Sequence, residues 1–397
     1  MPNRRRQKKS SLKGFLQLPN EIKLEIMNCS RYTEHAAMLR VSKDLYDLGV
    51  NSLYRSLTIT YLSMATKLTR TFGEPSGEKL ALQVKYFKVL LNDPISPTKL
   101  EIILQRIKNA STIQIYLKFR ALSAHDIMYF YQDALFSKTF SNLTELTILL
   151  PATQEYILEF FDFLRRHPQI ARLQIFTYIV DRLAVLVQPT QLRDVEPMSL
   201  PALRSYRGPI LVLKHILRNA CSLTQVTLDI TKDNLTKADD HLQCLSQLKG
   251  RADRWDENDE RTNQLSTSIS PARSLTFEVI MSPVDLYLLD QVVCFLPDDL
   301  ETLSIRFSYQ TGDLINADGA VFTVPGRFGE RILEFTNLKT FMINCAATQH
   351  NRRMLELDMP QRMARSLTGS FQTLQRAVFC GRHFHREADE WLAMSSS

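Results

Sequence analysis

Four absences narrow the class of this 397-residue chain before any motif is read. No uninterrupted apolar stretch approaches the ~18–20 residues that a membrane-spanning helix needs, so no membrane association is expected. No apolar h-region follows the basic amino-terminal residues, so no secretory signal is expected either. Cysteine is sparse: Cys29, Cys221, Cys244, Cys294, Cys345 and Cys380 form no C-x-x-C pair, and most lie in apolar runs. A reduced thiol in such a run behaves as a small core hydrophobe, which implies a reducing, intracellular home in the nucleus or cytoplasm. Catalytic signatures are missing as well: there is no G-x-S-x-G, no H-E-x-x-H and no cysteine nucleophile with an obvious base.

Weaker chemical candidates have plainer explanations. His383 and His385, with Cys380 and Glu387 nearby, fit no standard zinc spacing and lack a second Cys/His pair. They are expected in a solvated carboxy-terminal segment. G-R-F-G-E-R at 326–331 lacks the Lys-Ser/Thr of a P-loop and the third glycine of a dinucleotide fingerprint. Asp239–Asp240 and Asp298–Asp299 sit at element boundaries, where capping or solvation accounts for them. The expectation is a protein that is not an enzyme, with no catalytic residues, no metal and no cofactor.

The formal charge of +7 at first suggests a nucleic-acid partner. Residues 1–14 carry Arg4, Arg5, Arg6, Lys8, Lys9 and Lys13 and no acid, which is +6. Subtracting +6 from +7 leaves +1 for the remaining 383 residues. A phosphate-tracking surface would need excess Lys and Arg in the body, so the charge argues against nucleic acid. Arg4, Arg5, Arg6, Lys8 and Lys9 match a nuclear-localisation patch, or else a solvated tail with no address.

Hydrophobic residues make up 44% of the chain, ample for a sizeable core. Residues 1–11 read as a flexible basic tail. Residues 12–57 carry a compact helical pattern: Pro19 presets a helix start, and Leu18, Ile22 and Ile26 recur every four residues. A second helix opens near Thr33, and Ser42 is placed to cap a third. Leu53, Tyr54, Leu57 and Ile59 close this unit, and 58–80 read as a connecting segment. From 81 to 381, β-rich segments alternate with amphipathic helices. Strands are expected at 85–91, 113–119, 143–149, 173–179, 223–230, 274–280, 300–307, 338–343 and 374–379, with a weaker one at 203–206. Helices are expected at 98–109, 153–167, 209–219 and 284–295. In several strands a Leu lies three residues before a second apolar position, as in N-L-T-E-L-T-I-L from Asn142 and D-L-E-T-L-S-I-R from Asp299.

Most strand starts fall about 27–38 residues apart, the range of solenoid repeats. Each strand–helix unit buries its apolar face only by stacking on its neighbours. An open α/β sheet of ordinary topology is the alternative, and both imply parallel strands because the connections are long enough for crossover helices. The interval before the 274–280 strand holds an extra helix at 238–249. A polar loop follows at 250–270, whose eight charges nearly cancel and which includes Trp255. Residues 382–397 read as a carboxy-terminal tail. The fold class is α/β, a small all-α module followed by an α/β array.

The first module resembles the F-box family. L-P-N-E-I-K-L-E-I-M at 18–27 is similar to the family's opening, L-R-V-S-K-D-L at 39–45 to its later segment, and L-Y-R-S-L at 53–57 to its ending. Three segments in the right order are more specific than any one alone. Leu45 stands where the family often has Trp, and R-Y-T-E-H-A-A at 31–37 lacks the frequent Asp-Leu step. The array resembles the irregular leucine-rich repeats that often follow an F-box. The resemblance implies a substrate receptor of an SCF-type cullin–RING ubiquitin ligase, with the adaptor subunit and cullin scaffold as partners and an unidentified protein as substrate. It further implies a monomer within a hetero-complex. Carried onto this sequence, the adaptor-facing or interface-supporting positions are Leu18, Pro19, Ile22, Ile26, Leu39, Val41 and Leu45. Some of these would fill the module's own core, and sequence alone leaves the division open. A non-ligase interaction scaffold, possibly nuclear through its tail, remains the alternative.

Overall fold

The computed structural model describes residues 14–91, 97–117, 132–151, 154–178, 198–216, 222–230, 276–281, 300–307, 337–345, 373–379, 382–387 and 390–393, and positions 292, 294, 296 and 335. The basic tail with Arg4, Arg5, Arg6, Lys8 and Lys9, the 238–249 helix, the 250–270 loop with Trp255, and 326–331 lie outside the described residues. The chain divides into two compact units, Met1–Thr147 and Ile148–Ser397.

The first unit opens with three helices: α1 (Asn20–Cys29), α2 (Tyr32–Met38) and α3 (Lys43–Arg55). Their boundaries follow from local chemistry. Pro19 precedes α1 with φ −53°, and its carbonyl accepts the first helical bond from the Lys23 N–H at 3.0 Å. Ser30 ends the helix, its hydroxyl donating back to the Ile26 carbonyl at 2.6 Å. At the start of α2 the Glu34 carboxylate accepts from the Arg31 N–H at 3.1 Å. Ser42 caps α3 as expected, its hydroxyl accepting from the Leu45 N–H at 3.2 Å.

These helices enclose a small core of Met27, Leu39, Leu45 and Val50, flanked by Phe15, Met38, Leu53, Tyr54 and Leu80. Gly49 is where α3 comes closest to its neighbours: a Cβ there would lie 2.5 Å from Met27 Sδ and 2.8 Å from Leu39 Cδ2. Buried His35 fills the adjacent space, with Nε2 3.2 Å from the Gly49 carbonyl and 3.4 Å from the Ser52 hydroxyl.

The rest of the unit alternates strand and helix: β1 (Ser56–Ile59), α4 (Leu62–Gly73), α5 (Pro75–Leu82), β2 (Tyr86–Leu91), α6 (Pro97–Arg106) and β3 (Thr112–Leu117). β1, β2 and β3 pair in parallel, with Ser56 opposite Tyr86 and Tyr86 opposite Thr112. Residues 58–80, expected as a connection, therefore hold the end of a strand and most of two helices. Leu57 and Ile59 alternate with Thr58 and bury on the sheet's core face, a period of two that belongs to a strand and not to the close of a helical unit. β4 (Glu145–Pro151) spans the division between the units.

The second unit contains α7 (Gln154–Arg165), β5 (Arg172–Tyr178), β6 (Ser205–Gly208), α8 (Ile210–Ile216), β7 (Gln225–Ile230), β8 (Thr276–Met281), β9 (Thr302–Phe307), β10 (Thr340–Cys345) and β11 (Arg376–Phe379). β5 to β11 pair in sequence order, each parallel to the next. The protein is α/β, with its strands predominantly parallel. Of the 284–295 helix, only Val292 and Cys294 are described, and both are helical. Residues 382–397 depart from the expected tail: β12 (Arg382–Glu387) and β13 (Glu390–Ala393) add an antiparallel hairpin to β11. Phe384 buries between two more exposed histidines, and that alternation drives a strand.

A single hydrogen-bonding device recurs at the strand entries. The N–H groups of Ser111 and Thr112 both donate to the Lys85 carbonyl, and those of Thr144 and Glu145 to Ser111. In the second unit, the Arg204 and Ser205 N–H groups share Ala171, those of Thr224 and Gln225 share Arg204, those of Lys339 and Thr340 share Glu301, and those of Gln375 and Arg376 share Lys339. Each turn thus hangs on the equivalent turn of the preceding strand, which satisfies backbone groups close to the core. The recurring Leu sits just before this bond. Leu143, Leu203, Leu300, Leu338 and Leu374 are buried in the turns, and the apolar position three residues later, Leu146, Tyr206, Leu303, Phe341 or Ala377, is buried within the strand. The strands accordingly begin about two residues later than their Leu-first signature suggests.

Candidate docking surface

The seven residues singled out in the first module separate into two groups. Leu39 and Leu45 belong to the core; Leu45, at the first turn of α3, retains only 1% of its accessible surface. A leucine there closes the module from inside. The other group faces outward. Pro19 is exposed and Leu18 half-buried. Ile22, Ile26 and Val41 remain 42%, 38% and 47% exposed.

α1 explains the outward group. Its one fully buried side chain is Met27. Ile22 and Ile26, four residues apart, share a helix face that does not point at Met27. Val41 lies in the turn between α2 and α3. Leu16, Tyr32 and Tyr46 are likewise exposed, so large apolar side chains concentrate on the surface of this module. Single exposed apolar side chains are ordinary on a protein surface; here six of them fall within residues 16–46.

Sequence reasoning missed Leu16, Tyr32 and Tyr46. Tyr46 directly follows core residue Leu45, a 100° step around α3, and that offset was a usable signal. The aromatic side of the module extends to Tyr54, whose ring packs on Phe72 of α4 with centroids 6.1 Å apart and planes at 50°. Burial raises the Tyr54 hydroxyl above its usual pKa, and the neighbouring Tyr32 and Tyr46 hydroxyls add to the shift. Tyrosines of this kind offer large contact area at low entropic cost.

A second surface is the sheet face turned away from the helices. In the first unit it carries Thr58, Tyr86, Lys88, Gln114 and Tyr116, alternating with buried Leu57, Phe87, Val89, Ile113 and Ile115. The Tyr86 hydroxyl donates to Gln114 Oε1 at 2.9 Å, and Lys88 Nζ lies 5.4 Å from the centre of the Tyr116 ring. Burial raises the Tyr86 hydroxyl pKa, with Tyr116 and Glu145 contributing. In the second unit the corresponding face carries Gln174, Phe176 and Arg207, the guanidinium 4.7 Å from the Phe176 ring centre. These polar and aromatic groups suit recognition of another molecule. They do not form a nucleophile–base pair.

Among the described residues, no group of three or more His, Cys, Asp or Glu side chains lies close enough to hold a metal ion. Among those residues, too, no helix is long and apolar enough to cross a membrane. Comparison with protein-family models finds no match, and comparison with curated proteins finds none.

Proposed function

We propose that this chain is an F-box protein, the substrate receptor of an SCF-type cullin–RING ubiquitin ligase. In this reading α1 to α3 dock on the adaptor subunit, the strand–helix array is leucine-rich-repeat-like, and its open sheet face holds the protein substrate. The chain performs no chemistry. It supplies effective concentration and orientation, bringing a substrate beside the ubiquitin-charged enzyme that the other subunits recruit.

One observation carries the reading. The helical module completes its own core with Met27, Leu39, Leu45 and Val50, yet leaves Ile22, Ile26 and Val41 in solvent. Fully burying such a side chain from full exposure is worth about 1.5–3 kcal/mol, so a partner that covers the two-fifths or so still exposed gains roughly 0.6–1.3 kcal/mol at each position. The sequence-ordered parallel strands and their hand-on turn bonds support the repeat reading of the array.

Capture of recombinant adaptor by the full-length chain is the test. The chain retains the adaptor, and the double variant Ile22→Ser, Ile26→Ser loses it while unfolding at an unchanged denaturant midpoint. No capture by the unaltered chain, or equal capture by the double variant, removes the proposal.

A further inference from the structure

The nearly neutral body hides a local excess of positive charge. Residues 55–117, from the end of α3 to the end of β3, carry nine Lys and Arg against four Asp and Glu, which is +5. Taking +5 from the body's +1 leaves −4 for everything else after the tail. Three of the four acids are already paired: Glu74 with Arg70 and Glu78 with Arg106, each at 3.9 Å, and Glu101 with Lys138 at 2.9 Å. The fourth, Asp93, lies outside the described residues. Among the described residues no carboxylate pairs with Arg55, Lys79, Lys85 or Lys108, and all four are exposed.

Hydrogen bonds bring these cations to one edge, where strands begin and helices end. Arg55 closes α3, and its carbonyl accepts from the Lys85 N–H at 2.9 Å. Lys85 Nζ in turn lies 3.5 Å from the carbonyl of Asn109, the neighbour of Lys108. Asn109 Nδ2 donates to the Leu82 carbonyl at 3.1 Å, which ties the end of α5, with Lys79 in its last turn, to the same place. Arg106 ends α6 there, bound to Glu78. Three helix C-termini meet at this edge, each worth about half a negative charge, roughly −1.5 together. Five cations against Glu78 make +4, so the helix dipoles offset less than half of it. The second unit shows the neutral arrangement: Glu301 and Lys339 stand on adjacent turns of the same kind and bridge at 2.5 Å. Arg55 and Lys85, on adjacent turns of the first unit, carry like charges, which is unfavourable until an anion joins them.

The length of the run decides what fits. From β1 to β3 is two strand spacings, roughly 10 Å. The turns into β3 and β4 place neutral Ser111 and Thr144 where Arg55 and Lys85 stand in the turns before them. A nucleic acid gains affinity with each phosphate neutralised along a track, and this track ends after about 10 Å. An extended protein segment advances about 3.3 Å per residue and returns to the same side at every second one. Four or five consecutive acidic residues therefore set two or three carboxylates against these cations. We propose that the strand-entry edge of the first unit, at Arg55, Lys85 and Lys108 with Lys79 beside them, binds a run of consecutive Asp or Glu residues in a protein partner. The proposal goes beyond the receptor reading, which puts a substrate on the open sheet face, and it stands without adaptor docking.

The test uses the full-length chain with Arg4, Arg5, Arg6, Lys8 and Lys9 replaced by serine, so that the tail's charge contributes little. The probe is fluorescein-labelled decaglutamate, read by anisotropy at about 0.1 M salt, where charges more than about 10 Å away are screened. The peptide binds, its affinity falls as salt rises, and the triple variant Arg55→Glu, Lys85→Glu, Lys108→Glu weakens it at least about fivefold. A second triple, Lys67→Glu, Arg204→Glu, Arg376→Glu, changes the net charge equally at exposed sites on other elements and weakens it less than about twofold. The milder triple Arg55→Gln, Lys85→Gln, Lys108→Gln gives an intermediate loss at an unchanged urea midpoint, which separates lost binding from lost folding. No binding of decaglutamate, or equal losses in the two charge-matched triples, overturns the proposal. So does decathymidylate that binds more tightly than the peptide through the same three residues, since that identifies a nucleic-acid edge. Adaptor capture is read through Ile22 and Ile26, so failure here and failure of the ligase reading are separate results.

Discussion

Two helices of the first unit, α1 and α4, use similar material in opposite ways. α4, twelve residues long, buries Ala65, Leu68 and Phe72, spaced so that one face is fully enclosed. α1, ten residues long, buries Met27 and leaves Ile22 and Ile26 outside. The difference is one of neighbours. α4 packs against β1, α5 and α6, and Lys99 of α6 donates to the Thr66 hydroxyl across that contact at 3.0 Å. α1 meets α2 and α3, and Ile22 and Ile26 keep part of their surface exposed. Ala65, Leu68 and Phe72 of α4 are enclosed, whereas the isoleucines of α1 stay partly exposed. The contrast teaches that the same period-four pattern serves either role, and that the surrounding elements decide which.

The largest test of this contrast is a pair of alanine substitutions. Phe72→Ala removes a ring that is wholly buried and packed at a tilt against Tyr54, and is expected to cost about 3–5 kcal/mol in urea unfolding of the full-length chain. Ile26→Ala, at a surface that water already reaches, is expected to change stability by no more than about 0.5 kcal/mol. A large loss from Ile26→Ala would break the comparison, because it would mean that α1 spends its isoleucines on the fold.

A second pair sharpens the same point by inverting its sign. Gly49→Ala in α3 gains helix propensity worth up to about 1 kcal/mol. Its Cβ, however, would meet Met27 Sδ at 2.5 Å, Leu39 Cδ2 at 2.8 Å and His35 Nε2 at 3.1 Å. Crowding a filled core costs about 1–3 kcal/mol, so the crowding wins and the variant is less stable. Gly73→Ala, at the end of α4, meets nothing within 4 Å and is expected to stabilise by about 0.4–1 kcal/mol. Thermal unfolding of both variants reads the two directions. A stabilising Gly49→Ala would show that the module's core is looser than its distances imply.

How far the sequence carried the structure depended on which residues spoke unambiguously. Ser42 before Leu45 and Pro19 before Asn20 placed two helix starts, because capping chemistry is local. The Leu-first signature located the strands but displaced them by about two residues, since a leucine buried in a turn is indistinguishable in sequence from one buried in a strand. Residues 58–80 were missed because Thr58, Thr66 and Thr69 dilute the apolar pattern. The hairpin was not legible because the charged and polar residues around His383 and His385 read as a solvated tail, and only Phe384 between them marks a period of two. For the docking surface, sequence offered Leu39 and Leu45 beside Ile22 and Ile26 with no means to divide them. Burial depends on what α2 and α3 place opposite each residue, which is a property of tertiary packing.

The smallest expected effect probes enclosure from the second unit. His167 follows α7, wholly buried, its ring 4.2 Å from that of Phe163 and its Nδ1–H donating to the Phe163 carbonyl at 2.7 Å. Burial lowers its pKa; the backbone bond works against that shift, and nearby Arg166 adds to it. Between this lowered value and the unfolded value of about 6.5, the unfolded chain binds the extra proton. The contribution is therefore fully present above about pH 6.5 and is lost as pH falls through the folded value. His167→Gln keeps a donor toward Phe163 and removes the titration. Between about pH 7.5 and about pH 5.5 the urea midpoint of the unaltered chain should fall further than that of the variant. Carboxylates and other histidines titrate in both proteins, so only the difference between the two slopes belongs to His167. Equal slopes would mean that water reaches this imidazole, and that its surroundings in the second unit are less enclosed than its burial indicates.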